Sequence, residues 1–165
     1  MTLTSSSEHN LSSAAKGSGG SVREISSGII IFRRSPRGIR FLLLYHGGGY
    51  WNFPKGKIER EERSFETALR EVREETGLRP QDLRVLRNFR AHERYTFYRG
   101  KQKISKLVIL YLAETRRSEI RVSHEHEGYG WFLYEEAKKT LGRFKENQQI
   151  LSRAHTLLEQ WQKRK

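Results

Sequence analysis

Apolar runs of strand length lie in the middle of the chain and define its predicted strands. Residues 25–32 and 41–45 are largely aliphatic or β-branched, and Pro36 and Gly38 lie in the turn between them. Because their apolar residues are consecutive, we expect strands that are covered on both faces. Three further strands are predicted over residues 83–91, 106–113 and 129–133.

A period close to four residues predicts a helix over residues 65–76. We expect Ser64 to be its N-cap and Gly77 to take the left-handed position that follows its last turn. Its apolar positions fall at i, i+3, i+4 and i+7, which form one stripe facing a core. They are Phe65, Ala68, Leu69 and Val72.

Two more helices are predicted near the C-terminus. One is short and covers residues 134–141, and a longer one runs from Phe144 onward. Its apolar face would close over the sheet and comprises Leu151, Ala154, Leu158 and Trp161.

Three glutamates, Glu71, Glu74 and Glu75, share one side of the first helix. Each like-charge pair at this spacing costs about 0.2–0.5 kcal/mol in an exposed helix, so a neutralising partner is expected. Mg²⁺ or Mn²⁺, which prefer oxygen ligands, would fit such a cluster. The alternative is a solvated acidic face tied to arginine, since Glu66 and Glu74 both lie four residues from Arg70.

Two other segments combine residues that suit nucleotides. A glycine-rich loop over residues 46–56 precedes the glutamate helix, and such loops permit close approach to phosphate. Residues 92–105 interleave aromatic and basic side chains, which stack on bases and contact phosphates in nucleic-acid-binding proteins. The alternative for the second segment is an ordinary hairpin with a half-buried tyrosine.

Composition predicts one folded domain over residues 23–165, preceded by a disordered Ser/Gly-rich tail over residues 1–22. No apolar segment is long enough to be a signal peptide or a membrane span, so we expect a soluble cytoplasmic protein without membrane contact. The chain lacks cysteine and carries a formal charge of +13. That charge favours polyanionic partners such as nucleotides, polyphosphates or nucleic acid, and its alternative is a generally basic surface.

The fixed spacing of Gly56, Glu62 and residues 70–78 resembles the Nudix box, with Val72 and Leu78 at its two aliphatic positions. The resemblance implies a Nudix fold of the α/β (α+β) class, in which a mixed sheet is sandwiched between helices. Several other segments resemble the asymmetric diadenosine tetraphosphate hydrolases of that superfamily: SGIIIFRR, FLLLY, WNFPKGKIE and residues 123–147. One position departs from the pattern, because many relatives have His where Lys57 stands.

The resemblance implies a Mg²⁺-dependent hydrolase in which water attacks a phosphorus of the polyphosphate, giving ATP and AMP from diadenosine tetraphosphate. It assigns the metal to Glu71, Glu74 and Glu75, and assigns Arg70 to orienting them. Gly56 and Gly77 would shape the backbone. Glu62 would either support the loop or contact a metal through water.

The general base is assigned either to a glutamate of the box or to Glu125. His124 and His126, which flank Glu125, are interpreted as structural or phosphate-facing. The remaining candidates are for substrate binding. They are Lys55 and Lys106 for phosphate, Tyr95 for stacking on adenine, and Tyr129, which either lines the site or packs in the core.

Two other functions are considered for the same residues. A Nudix enzyme that removes pyrophosphate from triphosphorylated RNA 5′ ends would use the same chemistry, and the basic charge would then bind the RNA chain. A non-catalytic module that binds nucleotides is the other alternative. The self-repelling glutamates Glu71, Glu74 and Glu75 argue against it, because a pure binder gains nothing from them.

Overall fold

The computed structural model describes residues 14–16 and 20–164. Its helices are α1 (Ser64–Thr76), α2 (Tyr134–Leu141) and α3 (Lys145–Lys163), with a 3₁₀ turn at Pro80–Asp82. Its strands are β1 (Ala14–Lys16), β2 (Val22–Ser35), β3 (Gly38–Tyr45), β4 (Trp51–Asn52), β5 (Lys55–Lys57), β6 (Arg84–Val85), β7 (Ala91–Arg99), β8 (Gln102–Glu114) and β9 (Gly128–Leu133).

One mixed sheet contains all of these strands. Its central path runs β4-β3-β2-β8-β6, with β1 and β5 also on β2, β7 on β8 and β9 on β3. The long strands β2 and β8 are parallel, from Val22 opposite Ile104 to Phe32 opposite Glu114. The other pairings are antiparallel. The sheet therefore brings the start of β2, the short β5 and the β7–β8 hairpin close together.

The two faces of the sheet are covered by different helices. Successive residues of a strand point to opposite faces, and the apolar runs of β2 and β3 supply both cores. One core lies under α1 and includes Ile29, Ile31, Leu42, Leu44, Ala68 and Val72. The other lies under α2 and α3 and includes Ile30, Phe32, Phe41, Leu43, Leu151, Ala154 and Leu158. The predicted α+β sandwich and strands covered on both faces are confirmed.

The strand predicted over residues 83–91 is wrong. Only Arg84–Val85 pair there, with Ala113 and Glu114 of β8, and the next long strand begins at Ala91. That strand, β7, buries Glu93 and exposes Tyr95 and Tyr98, so it lacks the apolar pattern by which strands are recognised.

The predicted N-cap of α1 is also one residue off. Arg63 occupies the N-cap position with extended backbone, and Glu66 accepts a hydrogen bond from its N–H. The Ser64 hydroxyl instead lies 2.6 Å from the Tyr111 hydroxyl. The apolar stripe of the helix is buried at Ala68 and Val72, whereas Phe65 is exposed and meets Tyr111 edge to face.

The tail predicted over residues 1–22 lies mostly outside the described residues. Inside that stretch, Ala14–Lys16 forms β1 and Val22 begins β2, so these residues belong to the sheet. Disorder in the rest of the stretch stays a prediction. None of the helices that the structure describes is long and apolar enough to cross a membrane.

Candidate active site

Gly56 places the loop strand β5 directly against α1. It lies opposite Ser27 of β2, and a β-carbon at residue 56 would overlap the carboxyl group of Glu71. Only glycine permits this approach of backbone to carboxylate. At the other end of α1, Gly77 has a φ of 76° and donates its N–H to the Arg73 carbonyl oxygen at 2.9 Å. The close approach at Gly56 and the positive φ at Gly77 both favour glycine, and their predicted backbone-shaping roles rest on this geometry.

Arg70 links the glutamates of α1 to the preceding loop. Its Nε donates to Glu62 Oε2 at 2.7 Å, and its Nη1 donates to Glu71 Oε1 at 2.9 Å and to Glu74 Oε2 at 3.2 Å. Its Nη2 donates to the Lys57 carbonyl oxygen at 3.1 Å. The Glu62 carboxylate raises the pKa of Arg70 further, although burial opposes this. These contacts are those needed to orient the carboxylates, and that role of Arg70 stays a prediction.

Glu62 has the geometry of a loop support. Besides its two bonds from Arg70, it accepts the Thr67 hydroxyl at 3.0 Å and the Glu59 N–H at 2.9 Å. The hydrogen bonds from Arg70 are the main reason that its pKa falls to about 2. Of the two roles considered for Glu62, this arrangement favours loop support.

Glu75 is the most deeply buried of the three box glutamates, with 7% of its surface exposed. The Lys55 backbone N–H donates to its Oε2 at 3.1 Å, and His126 Nε2 lies 4.0 Å from its Oε1. Burial raises its pKa to about 8, and the neighbouring Glu71 and Glu125 add to the effect. Burial likewise raises the pKa of Glu71. The ionised forms of both carboxyl groups are therefore destabilised at this point, and a bound cation would stabilise them.

The carboxylates suit a hard divalent cation, because oxygen ligands of like charge are held together here and a cation would relieve their repulsion. Glu74 is exposed and Glu75 buried, so the predicted single patch extends from solvent into the protein. Across residues 14–16 and 20–164, no three acidic, histidine or cysteine side chains already form a group ready to hold a metal ion. Arg70 contacts Glu71 and Glu74 in this arrangement.

The segment after β8 brings Glu125 and His126 to the glutamates. Glu125 is exposed and close enough to raise the pKa of Glu71 and Glu75. His126 is buried, with its Nδ1 3.1 Å from the Ser123 hydroxyl, and its ring lies 4.4 Å from that of His46. His126 is thus buried and His124 exposed, and the structural or phosphate-facing roles of both stay predictions.

Lys55 also reaches the opposite side of β5. Its Nζ lies 5.7 Å from the centre of the Tyr95 ring, and Tyr95 is paired with Lys106 across β7 and β8. Burial lowers the pKa of both lysines, because it removes water from their ammonium groups. Tyr95 keeps 38% of its surface exposed. The structure thus brings three of the four predicted substrate-binding residues together.

Tyr129 does not join this group. It is paired with Leu44 on β3, so it points to the side of the sheet that α1 covers, and it is 38% exposed. Within the described part of the chain it makes no ring contact or hydrogen bond with Lys55, Tyr95 or Lys106. It does not pack in the core, and its role in substrate binding stays a prediction.

A buried carboxylate, Glu24, lies beside Lys106, one of the lysines predicted to bind substrate. It accepts Arg99 Nη1 at 2.9 Å and Lys57 Nζ at 3.1 Å, and Lys106 Nζ lies 3.4 Å away. Burial acts to raise its pKa, but these hydrogen bonds and charges outweigh it and lower the value to about 2. Lys57, the position that departs from the family pattern, is therefore fixed to Glu24.

The sequence did not identify Glu24, Glu93 or His46 as neighbours of the site. Glu93 is buried beside Lys55, and burial raises its pKa. His46 follows β3, and burial followed by the charges of His126 and Lys55 lowers its pKa to about 4. No local motif marks these residues, since each meets its partners only through sheet pairing or loop packing.

Comparisons with known proteins agree with this geometry. The NUDIX domain model matches residues 22–153. The chain is 42% identical over 141 residues to the asymmetrical bis(5′-nucleosyl)-tetraphosphatase of Mus musculus, covering 79% of this chain and 92% of that one. The rat protein of the same name is 40% identical over the same shares. A C. elegans Ap4A hydrolase solved as a binary complex superposes with a TM-score of 0.71 at 27% identity, covering 82% of this chain and 98% of that one. The chain belongs to the NUDIX domain family.

Proposed function

We propose that this chain hydrolyses dinucleoside tetraphosphates asymmetrically, with diadenosine tetraphosphate giving ATP and AMP. This proposal rests mainly on two contacts of Lys55. Its backbone N–H binds the buried Glu75, and its ammonium group lies over the Tyr95 ring. An acidic cluster suited to metal thereby adjoins an aromatic surface suited to a base, with a cation between them where a phosphate chain would run. The similar tetraphosphatases support the choice of substrate.

Glu71, Glu74 and Glu75 would hold the metal ion that Nudix hydrolases generally use. We assign it as Mg²⁺ or Mn²⁺ because all the donors are carboxylate oxygens. When bound, such an ion neutralises phosphate charge and polarises the attacked phosphoryl group. Arg70 keeps Glu71 and Glu74 in position from the side of the loop.

The protein side chains supply binding, orientation and proton transfer. Lys55 and Lys106 neutralise phosphate oxygens through charge-assisted hydrogen bonds. Tyr95 stacks on one adenine. Glu125, an exposed carboxylate facing the box glutamates, accepts the proton of the attacking water. The new bond joins the water oxygen to phosphorus, and the broken phosphoanhydride bond releases a nucleotide.

A second candidate is hydrolysis at the triphosphorylated 5′ end of RNA. The formal charge of +13 favours it, because an RNA chain beyond its first nucleotide needs basic residues to bind it. The same carboxylates and lysines would carry the reaction. The two candidates differ only in what lies beyond the first nucleotide.

The deciding experiment is a product assay with diadenosine tetraphosphate and a short 5′-triphosphorylated RNA at equal concentrations. It measures kcat/KM for each substrate with Mg²⁺, with Mn²⁺ and after chelation. Glu74→Gln is the matched variant, because it removes a charge from an exposed side chain without changing its size. We expect preference for the dinucleotide, products ATP and AMP, and a loss of turnover by orders of magnitude in the variant.

Each other outcome has a distinct meaning. Preference for RNA, with phosphate or pyrophosphate released, would replace the first candidate by the second. Nearly unchanged turnover in Glu74→Gln with the same metal dependence would show that the metal site is misassigned. Nucleotide binding without hydrolysis in any metal would identify a non-catalytic module.

A further inference from the structure

Among the described residues, nothing covers a three-stranded patch of the sheet beyond the N-terminal end of α1. The pairing of β2 with β8 and of β8 with β7 aligns side chains in rows across the three strands. Side chains of one row point the same way, and those two residues along a strand do too. The rows on this side are Arg23, Ser105 and Thr96; then Ile25, Leu107 and Arg94; and, at the hairpin end, Lys103 and Tyr98.

This patch is on the opposite face from the proposed nucleotide site. Tyr95 and Lys106, one residue away from Thr96 and Ser105, point to the face that α3 covers. Further along β2, at Ile29, α1 covers the face of the sheet that carries the patch. Toward the start of β2, the first two rows line a cleft of about 320 Å³, whose lining also includes Glu24, Tyr95 and Lys106 of the same strands. Its floor is partly apolar and half-buried, and Arg23 and Arg94 at its sides are exposed.

Every charged side chain in these rows is a cation. Arg23, Arg94 and Lys103 are all exposed, and among the described residues no carboxylate forms an ion pair with any of them. The nearest acidic residues in sequence, Glu24 and Glu93, point to the other face, where cations already surround Glu24. The patch therefore presents uncompensated positive charge that a polyanion would complement.

Tyr98 adds an aromatic surface at the edge of the patch. It is 68% exposed, the largest exposure of any big hydrophobic residue in the described chain, and it is paired with Lys103. Tyr98 points away from Tyr95, so it does not share the adenine position that we assign to Tyr95. An exposed ring beside cations on a sheet is an arrangement by which proteins bind unpaired bases and their phosphates.

We propose that this patch binds single-stranded RNA. Tyr98 stacks on a base, and Arg23, Arg94 and Lys103 contact successive phosphates. The hydroxyls of Thr96 and Ser105 lie between these cations and face the ribose, where the 2′-hydroxyl both donates and accepts hydrogen bonds. On β2 the patch extends from Arg23, about 13 Å along the strand from Ser27, to Ile25, about 7 Å from it, and Ser27 is the residue opposite Gly56. The proposal of RNA binding does not depend on the proposed hydrolysis.

The test uses the full chain and a fluorescent single-stranded RNA of about 12 nucleotides, a length that spans such sites. The RNA carries a 5′-hydroxyl, so no polyphosphate is available to the proposed active site. Anisotropy gives the Kd at about 50 and about 200 mM salt. Three variants are compared with the unaltered protein: the triple variant Arg23→Gln/Arg94→Gln/Lys103→Gln, the single variant Tyr98→Ala, and its partner Tyr98→Phe.

A second triple variant, Arg116→Gln/Lys139→Gln/Lys163→Gln, is the matched control. It removes the same number of charges from exposed positions elsewhere. We expect the patch variant to weaken binding by at least about tenfold and to lower the slope of log K against log salt by about 2, since each single-strand phosphate contact contributes about 0.7. Tyr98→Ala should weaken binding by at least about fivefold, and Tyr98→Phe should not. The control should bind like the unaltered protein.

Several results would overturn the proposal. An equal loss of affinity in both triple variants would show attraction by net charge alone. Tighter binding of duplex RNA would exclude base stacking on Tyr98, and equal binding of single-stranded DNA would exclude the role of the hydroxyls. Absence of RNA binding while dinucleotide hydrolysis is intact would refute this inference and leave the proposed function standing.

Discussion

Two glutamates of this molecule have a lowered pKa and a third has a raised one, because their neighbours differ. Burial acts to raise the pKa of Glu24, yet three cations bring it to about 2. Arg70 is the main reason that Glu62 also has a pKa of about 2. Glu75 lies beside other carboxylates, and burial raises its pKa to about 8. The first two are ionised partners of cations, whereas the third favours its protonated form until a bound cation stabilises its charge.

Gly56 supports a prediction about the contact between β5 and α1. In Gly56→Ala the new β-carbon would overlap the Glu71 carboxyl group, so we expect the free energy of unfolding to fall by about 1–3 kcal/mol. Displacement of a proposed metal ligand should also reduce kcat/KM by about 100-fold. Denaturant unfolding and the hydrolysis assay measure the two effects.

Gly128→Ala is the matched control, because nothing lies within 4 Å of a β-carbon there. Equal behaviour of both variants would contradict the role of Gly56.

Glu24 supports a prediction about acid stability. Its pKa is about 2 in the folded protein and 4.5 for an unperturbed glutamate, so its ionised form stabilises the fold above pH 4.5. That contribution is lost as the pH falls toward 2. Because glutamine resembles a protonated glutamate, Glu24→Gln should be clearly less stable than the unaltered protein at pH 7, and the difference should shrink below pH 4.5.

Urea unfolding at several pH values checks this prediction. The control is Glu119→Gln, which alters an exposed carboxylate that makes no ion pair among the described residues. It should show little difference at any pH. A stability difference for Glu24→Gln that stays constant down to pH 2 would mean that the cations do not hold Glu24 ionised.

At the scale of elements, the sequence predicts an element well where neighbouring residues along the chain determine its start and end. The bounds of α1 follow from its periodicity and from Gly77, and the structure moves its start by a single residue. The failure at residues 83–91 has a different cause. The edge strand β7 is stabilised by pairing with β8, and it buries Glu93 at the candidate site. Its sequence therefore lacks the apolar pattern of a strand that packs in the core. Likewise, Glu24 and Lys106 become neighbours only through the register of β2 and β8.

The start of α1 supports a prediction about Ser64. Its hydroxyl and that of Tyr111 are 2.6 Å apart, so Ser64→Ala and Tyr111→Phe should each lower the free energy of unfolding by about 0.5–1.5 kcal/mol. The double variant should lose less free energy of unfolding than the two single variants lose together, because the second change removes a group whose partner is already gone. A double-mutant cycle by denaturant unfolding measures this coupling. Strict additivity would instead indicate that Ser64 acts on the helix end independently of Tyr111.

At the scale of the whole molecule, the sheet separates the positive charge into two surfaces. The sequence predicts a polyanionic partner from the charge of +13, but it does not say which cations act together. Strand pairing assigns Lys106 to the face that carries Tyr95, and Lys103 to the face that carries Tyr98. Two lysines three residues apart on β8 would therefore serve different ligands.

This separation yields a prediction for matched variants of one strand. Lys106→Gln should raise the KM for diadenosine tetraphosphate by about tenfold or more, the effect of losing a hydrogen bond to a charged group. Lys103→Gln should leave that KM within about twofold, because its side chain points away from the nucleotide. The double variant should show the KM of Lys106→Gln alone.

The same variants should rank in the opposite order with 5′-hydroxyl RNA, where Lys103→Gln weakens binding and Lys106→Gln does so much less. Steady-state kinetics and anisotropy on the same protein preparations give both rankings. If Lys103→Gln raised the KM for the dinucleotide as much as Lys106→Gln does, the positive charge would act as one continuous field. The two faces of the sheet could then not be treated as separate binding surfaces, because net charge and not side-chain direction would determine affinity.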